Sequence, residues 1–275
     1  LLDAGEVDTL CTRHLDFFMT LAEQAEPQLH GPDQVAWLDR LEAEHDNMRA
    51  ALSWVLEQGI SEAALRLSVA LAWFWVVCGY IGEGRYWLQR VLEAGRAQQI
   101  QNASTVVRAY YGHALNWTSE LAWRQGDYKA ARALAEEGLK LLRELDDKQG
   151  IAVSLHRLGI IARDQGDHAM AHALFTESLT LWRELGDKRN IAGSLDSLGM
   201  IAHDQGDGAT ARTLYREPDA AARVGQQVGH CWLAQQFGGD SSHSRRLRDG
   251  ARTLYREPDA AARVGQQVGY CYLAH

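Results

Sequence analysis

The tripeptides Gln125-Gly126-Asp127, Gln165-Gly166-Asp167 and Gln205-Gly206-Asp207 recur every 40 residues, and each is followed by an Ala-rich helical stretch. A period in this range specifies a solenoid of helix pairs, because one pair cannot bury its apolar face alone and must stack on its neighbours. Leu155, Leu158, Gly159 and Ala162 lie along one face of a first helix. Ala171, Leu174, Phe175 and Ser178 lie along one face of the second. Small residues at Gly159, Ala171 and Ser178 allow close approach of the two axes while Leu and Phe fill the seam. The next unit repeats the pattern with Leu195, Leu198, Gly199, Ala202, Ala211, Leu214 and Tyr215. Between helices, Gly166 is placed to take the left-handed conformation that ends a helix and Asp167 to cap the start of the next. Gly186-Asp187 repeats the device, and Asp146-Asp147 stands in its place one junction earlier.

The expected fold is therefore all-α, a right-handed superhelical solenoid of antiparallel helix pairs. Upstream of the repeats the pattern predicts helices at about 4 to 27, 32 to 57 and 60 to 78, with Pro32 in the first turn of the second. Three segments are expected: an N-terminal helical segment at 1–60, helical repeats at 61–217, and a degenerate end at 218–275. In that last segment, residues 211–229 recur without change at 251–269, again a step of 40. Such identity is unlike the drifted similarity of the earlier units and reads as a recent duplication or an assembly artefact. Pro218 and Pro258 fall where a second helix should continue, and residues 238–246 have loop composition.

The small-residue positions, the Gly-Asp turn and the aromatic in the second helix resemble the tetratricopeptide repeat, although 40 residues exceeds the usual length of about 34. A second resemblance lies upstream, in Arg13-His14, Leu21-Ala22-Glu23, Gly31-Pro32-Asp33, Trp37-Leu38, the run from Glu44 to Leu52, and the run from Gly82 to Leu88. This set looks like the helical region that follows the nucleotide-binding and winged-helix modules of bacterial signal-transduction ATPases, many of them LuxR-type or related transcriptional regulators. The likeness extends over about residues 1 to 205. It implies a non-catalytic sensor or interaction arm; the alternative is a free-standing tetratricopeptide adaptor or peptide receptor. The chain begins at Leu1 in what reads as the middle of a helical run, as a piece of a longer protein would.

The residues carry little chemistry of their own. No Gly-x-x-x-x-Gly-Lys-Ser/Thr phosphate loop occurs, and Gly79, Gly82 and Gly84 lack the spacing of a dinucleotide fingerprint. His168 and His172 stand four apart, but Ala169 occupies the position where a zinc protease carries Glu. Gly239-Asp240-Ser241 lies in loop composition and does not make an esterase nucleophile. Cys11, Cys78, Cys231 and Cys271 are widely spaced and read as buried reduced thiols. Catalytic residues, cofactors and metals are thus expected to be none. The net charge of −8 argues against direct contact with nucleic acid. The apolar run from Val69 to Tyr80 is too short to span a bilayer, and no signal peptide opens the chain, so a cytoplasmic protein is expected.

The expected site is the concave face of the first helices, facing a protein or peptide partner, or other domains of a longer chain. By repeat register it presents His113, Asn116, Glu120 and Trp123, then Val153, His156, Ile160 and Arg163, then Asp196, Met200 and His203. Trp73, Trp75, Trp87 and Trp117 read as core, and only Trp123 as an exposed aromatic anchor.

Overall fold

The computed structural model describes residues 4–59 and 62–216. The expected break at Pro218, the loop composition at 238–246, the duplicated segment beyond Arg216 and Cys231 and Cys271 lie outside them. Eleven α-helices follow one another among the described residues. They are α1 (Ala4–Gln28), α2 (Gln34–Ala43), α3 (His45–Glu57), α4 (Glu62–Val77) and α5 (Ile81–Ala97). After a 3-10 turn at Ile100–Asn102 come α6 (Thr105–Arg124), α7 (Tyr128–Glu144), α8 (Lys148–Asp164), α9 (His168–Leu185), α10 (Lys188–Asp204) and α11 (Gly208–Arg216). Each helix from α5 to α11 packs on the next, and α4, α6, α8 and α10 also touch in succession, forming one layer of first helices.

The junctions follow one rule. Gly126, Asp146, Gly166, Gly186 and Gly206 all have φ between 55° and 80°, the left-handed region. The amide of the following Asp then reaches back five residues: Asp127, Asp147, Asp167, Asp187 and Asp207 donate to the carbonyls of Ala122, Leu142, Ala162, Trp182 and Ala202 at 2.9–3.1 Å. The same Asp side chains accept from Ala130, Gly150, Met170, Asn190 and Thr210, closing the first turn of the next helix. Asp146, φ 55°, substitutes for Gly because its short polar side chain tolerates this region.

Packing within the pairs depends on glycine. A Cβ on Gly159 would come within 2.7 Å of the Phe175 ring, and one on Gly199 within 2.5 Å of Tyr215. Ser178, fully buried, donates to the Ala152 carbonyl at 2.8 Å, so this small residue also ties α9 to α8.

Two expectations at the N-terminal end are corrected. The helix expected at 32–57 is broken at Glu44 (φ −104°, ψ 10°) into α2 and α3. Pro32 sits in the turn before α2, whose N-cap is Asp33, and not in its first turn. The break allows His45 and Arg49 both to face α5. Glu83 there receives Arg49 Nε at 2.8 Å and Nη2 at 2.5 Å, and lies 3.0 Å from His45 Nε2. Burial pushes the Glu83 carboxyl up, but its bonds to Arg49 and the neighbouring His45 outweigh this and hold it below the usual carboxylate range. A Cβ on neighbouring Gly84 would lie 2.9 Å from Trp75, and Arg85 reaches Gln125 Oε1 (2.7 Å) and Asp127 Oδ2 (2.6 Å) in the α6–α7 turn. One buried cluster runs from Leu15 to Leu121, so helices on both sides of residue 60 share a core. Cys11 and Cys78 are unpaired thiols, partly rather than fully buried.

The two roles of glycine predict different costs. Gly159→Ala should destabilise by about 1–3 kcal/mol through overpacking against Phe175. Gly166→Ala, where open space surrounds the new methyl group, should cost about 1–2 kcal/mol for the left-handed backbone, and Gly166→Asn less. Urea unfolding followed by circular dichroism measures all three.

Acid should loosen the junctions. The hydrogen bond with His113 first, and the Gly150 amide with it, hold the Asp147 carboxyl below its ordinary range despite burial. A folded-state value below the unfolded one gives stability that is present above the unfolded value and lost as pH falls through the folded one. Asp147→Asn should therefore flatten the fall in melting temperature on acidification below the ordinary carboxylate range.

Candidate functional site

Nine of the eleven predicted partner-facing residues line up in three rows separated by the repeat step; the other two, His113 and the half-buried Val153, are counterparts one step apart. Asn116 is buried, its counterpart His156 half-buried, and Asp196 exposed. Glu120, Ile160 and Met200 follow the same order, at 2% exposure for the first and 38% for the last. Trp123 and Arg163 are half-buried and His203 is exposed. His113, half-buried, stands one turn earlier on α6 with its Nε2 3.0 Å from Asp147 Oδ2.

The bonds explain the gradient. Asn116 donates to the Gly150 carbonyl at 3.2 Å and accepts from Ser154 Oγ at 2.8 Å, both on α8. Glu120 accepts from Arg124 Nε at 2.7 Å and from Arg157 of α8. Trp123 Nε1 donates to Asp164 Oδ2 at 2.7 Å, and Arg163 holds the other oxygen of the same carboxylate at 2.9 Å. Arg163 Nη1 also lies 3.6 Å from Met200 Sδ on α10. The side of each first helix turned away from its own second helix is thus partly covered by the next first helix. Placement of Asn116 and Glu120 on an open face is corrected on this ground: at 2% exposure both fill the α6–α8 seam. Ile160, Arg163, Asp196, Met200 and His203 leave part of their surface open, and His156 packs on the Phe175 ring at 5.0 Å.

The charge within this seam is unbalanced. One carboxylate, Glu120, meets two guanidiniums whose side chains are each 17% exposed. Burial pushes Glu120 up, yet the charges of Arg157 and Arg124 outweigh it and keep the carboxyl below its usual range. Each guanidinium also lies over an indole, Arg157 5.5 Å from the Trp117 ring and Arg124 5.5 Å from that of Trp123.

Sequence reasoning missed four neighbours of this face. Trp73 and Trp117, read as core, are only half-buried, with rings 6.2 Å apart. His30, just beyond α1, stacks on Trp73 at 4.9 Å, and burial with the nearby Arg189 charge pushes its imidazole down to about 4. The end of α1 therefore reaches the first-helix layer. Arg157 gave no periodic signal, because its counterparts 40 residues away are Trp117 and Ser197.

No metal-binding group of three His, Cys, Asp or Glu occurs among the described residues, and no described helix is long and apolar enough to cross a membrane. The family model of the tetratricopeptide repeat matches residues 110–184 and 150–217. Proteins of Mycobacterium tuberculosis and Mycobacterium bovis named as HTH-type transcriptional regulators are each 31% identical over 161 residues. That stretch is 57% of this chain but 18% of theirs. Among solved structures, BtubC from P. vanneervenii superimposes with a TM-score of 0.55 at 15% identity, covering 79% of this chain and 91% of that one. A kinesin light chain protein of Podosopora anserina with nearly identical TPR-like repeats gives 0.54 at 14% identity, over 78% and 96%. These likenesses carry the right-handed solenoid of helix pairs, and residues 110–217 are tetratricopeptide repeats, the build of a protein-interaction scaffold.

Proposed function

We propose that this chain is the sensor or interaction arm of a bacterial signalling ATPase or transcriptional regulator. The observation that carries the reading is the pair of regulators at 31% identity, of whose length this chain spans 18%. A regulator's other modules would lie in the remainder. The upstream residues point the same way, since Glu44 to Arg49 and Gly82 to Trp87 form one ion-paired junction leading into the array. The role is binding, in the cytoplasm, without catalysis, with a protein or peptide segment or another domain of the longer chain as partner. A free-standing adaptor is the second reading, favoured by the repeats alone. Reading the gene upstream of Leu1 separates the two: a phosphate loop followed by a winged helix selects the regulator, and an initiation codon without them the adaptor.

In this reading the partner lies along α6, α8 and α10. Ile160 and Met200 supply apolar contact, Trp123 and Arg163 an aromatic and a charged anchor, and His113, His156, Asp196 and His203 polar contacts. Asn116 and Glu120 bond α6 to α8 beneath this face. Trp123→Ala, Arg163→Ala and Met200→Ala should each weaken a purified partner by about tenfold or more, whereas Lys129→Ala and His168→Ala should leave affinity within a factor of about two. Titration calorimetry measures this, with circular dichroism confirming each fold; equal affinities throughout would remove the site from this face.

A further inference from the structure

The repeat identifies its own exceptions. Trp123-Arg124-Gln125-Gly126-Asp127-Tyr128 occupies the junction that later units build as Arg163-Asp164-Gln165-Gly166-Asp167-His168 and His203-Asp204-Gln205-Gly206-Asp207-Gly208. The Gln-Gly-Asp core is unchanged, so the turn itself does not require Trp, Arg or Tyr beside it. All three line one cavity of about 370 Å³, with Ile81 and Gly126 completing the wall. This cavity lies where the start of α5 meets the α6–α7 turn, at the loop edge of the solenoid and apart from the three rows of partner-facing residues except for Trp123.

The cavity has a cation to spare. Glu120 is neutralised by Arg157 alone, so Arg124 brings a second positive charge to a single carboxylate. Arg124 gives Glu120 only its Nε proton and lies over the Trp123 ring, and its terminal NH2 groups make no hydrogen bond among the described residues. Glu120 thus acts as a positioning residue that holds Arg124 against the indole with its outer edge unspent. Arg85 is not a competitor, being committed to Gln125 and Asp127. In a chain of net charge −8, a guanidinium with unspent terminal NH2 groups over the Trp123 ring, in a cavity that Tyr128 and Ile81 also line, fits an anion on an apolar body.

We infer that the Ile81–Trp123–Arg124–Tyr128 cavity binds a small carboxylic acid carrying an aromatic or apolar group, with the carboxylate on Arg124 and the body between Trp123, Tyr128 and Ile81. The volume admits a single-ring acid with a short chain. This site shares Trp123 with the partner reading but not Arg124, Tyr128 or Ile81, and it does not require a groove ligand, so failure of one reading leaves the other intact.

The probe is 3-phenylpropionate, with uncharged 3-phenylpropionamide as its control, measured on the full chain by calorimetry and by saturation transfer from protein to ligand. The acid is expected to bind saturably and the amide at least about tenfold more weakly, the loss of a charge-assisted hydrogen bond. Arg124→Gln should weaken the acid by a similar factor and leave the amide unchanged. This variant keeps Glu120 paired with Arg157, and Asp164 and Asp204 show that the position tolerates other polar residues. Tyr128→His, which installs the next unit's residue, should weaken acid and amide together, and Arg124→Lys should restore part of the acid's advantage. Absence of saturable binding by the wild type, equal affinity for acid and amide, or undiminished affinity in Arg124→Gln overturns the proposal.

Discussion

The whole array depends on one hydrogen bond repeated at every junction: the amide of an Asp reaching back five residues, possible only because the residue before it has positive φ. The same Asp then caps the next helix, so one dipeptide both ends and begins. Helices α7 to α10 are accordingly 17 or 18 residues long, and the capping Asp residues fall 20 apart. An inserted residue would rotate everything downstream by about 100° around the helix axis and take the apolar stripe off its neighbour. Equal spacing therefore carries equal facing. It shows even in surface charge, where Arg108–Glu144 and Lys148–Glu184 are the same pair one unit on. Exposed pairs of this kind add little stability. They report the register more than they create it.

A strict register makes deviation informative. Where the repeat needs a small residue it has one, and Gly159 and Gly199 touch Phe175 and Tyr215 in the same way. Glu120 breaks the pattern, since Ile160 and Met200 hold its place in the later units. A carboxylate in that seam needs guanidiniums, and Arg124 and Arg157 supply them from its own helix and from the next. A buried ion pair is costly in desolvation and weak as a source of stability, whereas removing one partner is severe. Such a cluster constrains which side chains can surround it, which is why Trp117 and Trp123 are stacked against it.

The junction grammar was legible because it is local: a positive φ, a cap and a stripe all lie within one turn of their own signals. Asp146 could be read as a Gly substitute for the same reason. The face was harder. Periodicity told which side of α6 turns away from α7, and so grouped Asn116 with His156 and Asp196, but it could not tell how closely α8 covers that side. Burial there depends on the distance between two helices that are 40 residues apart in sequence, and the first-helix contacts of α6 differ from those of α10. The same blindness left Trp73 and Trp117 in the core, because the end of α1 that meets Trp73 comes from outside the repeats. The split at Glu44 went unseen since no Gly or Pro marks it; its cause is tertiary, the demand that His45 and Arg49 meet Glu83.

That demand gives the upstream residues a physical role. Within one turn of α5, Glu83 is held by α3, Gly84 sits against Trp75 of α4, and Arg85 is bonded to the turn between α6 and α7. Three neighbouring residues thus face three different elements, and none can move far without disturbing the others. Trp87 adds to the grip, its Nε1 3.4 Å from Glu83 Oε1. The first helices of the array are therefore not a string tied loosely to what precedes them. Their position is set by Arg85, two residues along the same turn of α5 from the Glu83 that holds α3, and the buried cluster from Leu15 to Leu121 closes around that joint. A displacement of α3 would have to break the Glu83 pairs or carry the α6–α7 turn along with it.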